Sequence, residues 1–121
     1  MILYDVICGD IFDILYRMKR TSEVQAAYNA FRTRVLREWP SIDDYIRTVK
    51  FQGGVDMAFE PNPFPYKGLG LRHWILWSIR PLKNREIHTF LEDLPPYRIQ
   101  INKKNEQSVP DVWHAHVIFD S

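Results

Sequence analysis

The hydrophobic period of the chain changes at Gly53-Gly54, and that change limits the fold more than any single motif does. Before it, in "SEVQAAYNAFRTRVLREW", Val24, Tyr28, Phe31 and Val35 recur at spacings of four, three and four, the period of one buried helical stripe. After it, "LRHWILWSI" is apolar on both alternating faces, as in a strand covered on each side, while "YRIQI" and "DVWHAHVIF" alternate with period two. Helices first, then strands flanking one helix, predict an α+β domain with N-terminal helices packed on a mostly antiparallel sheet, spanning residues 1–121 as a single domain.

Local signals sharpen the boundaries. Ser22 followed by Gln25 offers a capping box for the first of these helices, and Pro40 stops it. Ser41 caps a second, "SIDDYIRTV", with Asp43 and Asp44 in its first turn and Ile42, Tyr45, Ile46 and Val49 inward. A weaker helix is expected from Asp10 to Met18. Between the halves, "EPNPFPYKGLG" holds three prolines and two glycines and reads as an ordered loop or a lid, not as a central strand. Asn84 is positioned to cap "REIHTFLEDL", with Ile87, Phe90, Leu91 and Leu94 inward, and "NKKNEQS" reads as a turn or mobile loop.

Composition excludes several classes. A 121-residue chain that is 45% hydrophobic supports one core, and a formal net charge of +1 does not make the electrostatic footprint of a general nucleic-acid binder. The single cysteine, Cys8, forms neither an intrachain disulfide nor a Cys-x-x-Cys site, which fits a reducing compartment. "MILYDVICGDIFDILY" lacks a basic leading region and is interrupted by Asp5, Asp10 and Asp13, so it reads as part of the fold and not as a signal peptide. No apolar run approaches membrane-spanning length. The expectation is a soluble protein of the cytoplasm or nucleus, with no membrane partner. Cofactor and oligomeric state are not set by the sequence.

The chemistry concentrates in "DVWHAHVIF". Alternation places Trp113, Ala115, Val117 and Phe119 on a core face and Val112, His114, His116 and Ile118 on the face that need not be buried. His114 and His116 then stand roughly 6 to 7 Å apart. Three jobs suit that geometry: attack of one imidazole on a phosphorus centre while a second group protonates the leaving oxygen or organises the phosphate, metal binding with further ligands such as His73, Glu60 or Asp111, or plain packing. Phe64 and Tyr66 of "EPNPFPY" can stack on a sugar or base, or form a rigid surface connection. Arg72 and Arg80 flank the "HWILWS" strand as phosphate ligands or solvated strand ends, and His73 joins the pair or is structural. His88, beside Arg85 and Glu92, is expected at the surface, and Lys103 and Lys104 in a solvated loop.

Taken together, "YRMKRTSEVQAAYNAF…EWPSIDDYI", "PNPFPY", "HWILWS" and "QSVPDVWHAHVIF" resemble the N-acetylglucosamine-induced protein 1 family of fungi, other organisms and large DNA viruses, from about Leu15 to Phe119. That resemblance implies no particular reaction, and for a viral source it would place the protein in the host cell. The C-terminal half is also similar to the histidine triad superfamily of nucleotide hydrolases and transferases, whose closing strand reads His-φ-His-φ-His. On that pattern the first position is Val112, the middle one His114 and the third His116. The resemblance implies a histidine triad-like sheet in which His114 attacks an α-phosphorus, His116 hydrogen-bonds the phosphate, and Ser108 or nearby N–H groups steady the charge.

The leading expectation is therefore binding, and hydrolysis, of a nucleotide, nucleotide sugar or phosphosugar. His114 and His116 are the catalytic candidates, and His73, Arg72, Phe64, Tyr66 and Ser108 the binding candidates. Two alternatives stay open: a metal site formed by His114, His116 and His73, and a non-enzymatic module that docks a protein through the aromatics of "NPFPY".

Overall fold

A computed structural model describes residues 2–4, 19–101 and 109–120; for residues 2–4 it describes the backbone alone. The expected helix at Asp10–Met18, Cys8, Ser108 and the loop from Asn102 lie outside the described residues. Five strands, β1 (Ile2–Tyr4), β2 (Met57–Pro61), β3 (His73–Ser78), β4 (Tyr97–Ile101) and β5 (Trp113–Phe119), form one sheet in the order β1-β4-β5-β3-β2. Every neighbouring pair is antiparallel. Helices α1 (Ser22–Glu38) and α2 (Ile42–Lys50) pack on one side and α3 (Asn84–Leu91) on the other, so the protein has an α+β fold.

The helix starts follow from side-chain capping. Thr21, one residue before the expected Ser22, is the N-cap of α1, and its Oγ1 accepts the Val24 N–H at 3.2 Å. Ser41 caps α2 as its sequence predicts, accepting the Asp44 N–H at 3.0 Å. For α3 the cap is not Asn84, which is already helical. The Glu86 carboxylate reaches back to accept the Lys83 N–H at 3.0 Å instead. Between α2 and β2, Gly53 and Gly54 adopt φ of 74° and 79°, two successive left-handed residues that only glycine accepts at low cost.

Strand β2 escapes the sequence reading because "MAFEP" has a charge and a proline in a short run. Among the described residues it is an edge strand with β3 as its one neighbour, a place where a proline is tolerated. Its alternation sends Met57 and Phe59 toward α3 and Ala58 toward α1 and α2. The α3 side buries Leu76, Leu82, Ile87, Leu91, Ile99, Ile101, Ala115 and Val117 in one cluster. Phe90 and Leu94, expected inward, are 43% and 39% exposed: Ile87 and Leu91 take the buried positions of α3, Phe90 meets the sheet only edge-on against Phe59 at 5.7 Å, and Leu94 lies past the helix end. On the opposite side Val35, Ile42, Ile46, Ile75, Trp77, Val109 and Val112 cluster beneath α1 and α2. His88 is half-buried, not at the surface, because its Nδ1 meets the Tyr97 hydroxyl at 2.6 Å.

Candidate functional site: a histidine-lined cavity under the N-terminal helices

Register brings the histidines together. β3 and β5 pair Ile75 with His116 and Trp77 with His114, so His73, Ile75 and Trp77 share a face with His114 and His116. The expectation that this face need not be buried is corrected, since α1 and α2 cover it and His114 and His116 are only 6% and 5% exposed. The cover is not flush. A cavity of about 340 Å³ remains, bordered by His114 and His116 from β5, Trp77 from β3, Glu60 from β2, Phe64 and Tyr66 from the proline loop, and residues of the helices.

Hydrogen bonds assign the tautomers. His73 is fully buried, and its Nδ1 accepts the Tyr66 N–H at 3.1 Å, so a neutral ring carries its proton on Nε2. That N–H donates to His116 Nδ1 at 2.8 Å, which leaves His116 protonated at Nε2. His114 is the opposite tautomer: Nδ1–H donates to the Val112 carbonyl at 2.9 Å, and Nε2 keeps its lone pair with no hydrogen-bond partner among the described residues. Arg47 and Asp43 of α2 hold the turn before β5, Arg47 donating to the Asp111 carbonyl at 2.9 Å and Asp43 accepting the Asp111 N–H at 2.8 Å.

The three rings are neutral at pH 7. Burial lowers His73 to about 4, helped by the charge of Arg20. Burial also holds His116 well below the usual histidine range, with His73, His114 and Arg20 adding to the effect. For His114 burial again dominates and lowers the pKa, against the opposing pull of the Val112 carbonyl and Asp43. A neutral imidazole with a free Nε2 is the form that attacks an electrophile or binds a metal.

The proline loop is fastened at several points. Asn62 donates its N–H to the His73 carbonyl at 2.8 Å and accepts the Phe64 N–H on Oδ1 at 2.8 Å, while Lys67 N–H reaches the Lys19 carbonyl at 2.8 Å. Asn62 Nδ2 also lies 3.3 Å from His73 Nε2, a contact without a lone pair to accept while that nitrogen is protonated. Phe64 packs on Tyr28 and Phe31, with ring centroids 5.1 and 5.4 Å away, and Tyr66 stacks on His116 at 5.5 Å. Both aromatics of "NPFPY" thus border the cavity.

Of the candidates read from sequence, the structure gathers His114, His116, Phe64 and Tyr66 around the cavity and sets His73 directly behind His116. Arg72 is not brought there: it donates to the Asp120 carbonyl at 2.9 Å and ties down the chain after β5. Arg80 pairs with Glu86 at the start of α3, also outside the cavity. Glu60 borders the cavity, but its Oε1 receives the Trp77 indole N–H at 3.2 Å and pairs with Lys50. Among the described residues no group of three or more His, Cys, Asp or Glu is arranged to hold a metal ion. His73 and His116 spend facing nitrogens on each other, which works against the metal alternative.

Sequence reasoning missed Arg20, Asn62 and Trp77 as cavity residues. Trp77 was legible, since it lies on the same face of its strand as His73. Asn62 has a weaker signal in the turn-forming Pro-Asn-Pro run, and Arg20 has none. No family model matches the chain, and no curated protein matches it. The crystal structure of HTC1 is similar in fold, with a TM-score of 0.62 and 18% identity, covering 93% of this chain and 81% of that one. Among the described residues no helix is long and apolar enough to cross a membrane.

Proposed function

We propose that this cavity binds a nucleotide, nucleotide sugar or phosphosugar and, where the ligand carries a diphosphate, cleaves that bond through His114. The observation that carries this reading is the tautomer of His114, whose Nδ1–H is spent on the Val112 carbonyl while Nε2 keeps an unshared lone pair beside a cavity of about 340 Å³. That volume falls in the range of small-molecule sites, and the stacked aromatics of its wall suit a base or sugar ring.

In this mechanism Nε2 of His114 attacks the α-phosphorus, an N–P bond forms, and the bridging P–O bond breaks with its electron pair leaving on the departing phosphate. Water then attacks the same phosphorus, the N–P bond returns its pair to Nε2, and the water proton passes to solvent. A phosphate leaving group departs without prior protonation, which suits a cavity whose histidines are all neutral. His116 donates its Nε2–H to a phosphoryl oxygen. The reading agrees with the sequence resemblance to the histidine triad superfamily, and it keeps Val112 as a departure from the three-histidine pattern.

The deciding experiment incubates the protein and His114→Asn with a panel of nucleotide sugars and dinucleotides. Asparagine preserves a donor near Nδ1 and removes the Nε2 lone pair. Release by the wild type and none by the variant is the expected result; equal release from both, or none from either, removes the nucleophile.

A further inference from the structure

We propose that Arg20 anchors a phosphoryl group of the ligand in this cavity. The proposal rests on the phosphorylated-ligand reading above and deepens it by naming the residue that meets the charge. Arg20, Lys50 and Glu60 are the charged side chains among the described residues bordering the cavity. Lys50 and Glu60 neutralise each other. Arg20 has no carboxylate partner among the described residues, and the three histidines are neutral, so its guanidinium is the uncompensated charge of the site.

Its setting is built rather than incidental. Arg20 Nε donates to the Phe64 carbonyl at 2.8 Å, and the guanidinium carbon lies 4.3 Å from the Tyr28 ring centroid and 5.7 Å from that of Tyr66. These contacts hold a side chain that otherwise has many rotamers and leave both Nη groups as donors. His116 stands against the same Tyr66 ring, centroid to centroid 5.5 Å. A tetrahedral phosphoryl group can meet the paired Nη donors with two oxygens and the His116 Nε2–H with a third. A planar carboxylate spends both oxygens on the guanidinium and leaves the imidazole unmet.

The test is calorimetric titration of the full chain with inorganic pyrophosphate at constant ionic strength, alongside malonate as a dicarboxylate. Wild type is expected to bind pyrophosphate more tightly than malonate, Arg20→Gln to lose at least about tenfold in affinity, and Arg20→Lys to fall between. Arg72→Gln, outside the cavity, is expected to bind like the wild type. Should Arg20→Gln not fold, Arg20→Lys decides, since it keeps the charge without the paired donors. No pyrophosphate binding by the wild type, wild-type affinity in the Arg20 variants, or malonate binding as tight as pyrophosphate each overturns the proposal. His114→Asn separates the two readings: pyrophosphate binding retained with product release lost supports both, whereas wild-type release with unchanged KM in Arg20→Gln removes the anchor and leaves the nucleophile standing.

Discussion

The two faces of β5 share one alternation and one depth of burial, and they are put to opposite uses. Toward α3, Ala115 and Val117 are completely buried against Leu76, Ile87, Leu91 and Ile99, where close packing and area removed from water stabilise the fold. Toward α1 and α2, His114 and His116 are nearly as buried, yet they border an unfilled volume, and Nε2 of His114 has no hydrogen-bond partner among the described residues. Burial therefore does not separate core from site here. The separation lies in whether volume is filled and whether polar atoms are spent on the protein itself.

The sharpest way to break this contrast is a pair of substitutions with crossed effects. His114→Asn is expected to drop product release on the nucleotide-sugar and dinucleotide panel to background while shifting the urea midpoint less than Leu91→Ala does. Leu91→Ala, in the α3 cluster, is expected to cost about 2–5 kcal/mol in urea unfolding while the folded fraction keeps its turnover. If Leu91→Ala proves the milder for stability, the division of labour between the faces is wrong.

Acid separates the faces next. His73 has a folded pKa lowered to about 4 from an ordinary value of 6.5, so the unfolded chain takes up the proton first as pH falls. Stability linked to His73 is fully present above pH 6.5 and is lost progressively as pH falls toward 4, by about 3 kcal/mol for this group. His114 and His116, both lowered, act in the same direction. Urea midpoints measured between pH 7.5 and 4.5 should fall steeply in the wild type and less in His73→Gln. A flat profile would mean that the histidine face is wet and open. The smallest effect belongs to the cover over that face: Ser41→Ala, which removes the α2 cap, is expected to cost about 1 kcal/mol in the same assay.

Much of this architecture was legible because periodicity reports faces directly. The stripe through Tyr28 and Val35, the face of α2 through Ile42 and Ile46, and the alternation of β5 all carry over into the fold. Phe90 and Leu94 misled because apolar identity does not say how deeply a side chain at the edge or past the end of a short helix is covered. β2 was hidden because an edge strand needs little hydrophobic pattern, and Thr21 displaced Ser22 because adjacent residues of similar capping strength leave the helix start to its packing.

By itself the sequence determined the run of α1, α2, β3, α3, β4 and β5, the antiparallel α+β class and the shared face of His114 and His116, since these depend on periods and turn chemistry within a few residues. Tertiary structure alone decided that this face is roofed by α1 and α2, that His73 rather than Val112 stands behind His116, and that Arg20, not Arg72, borders the cavity. The reason is range. Those relations join segments more than forty residues apart, through strand register and a carbonyl contact from Arg20 to Phe64, and no local pattern encodes them.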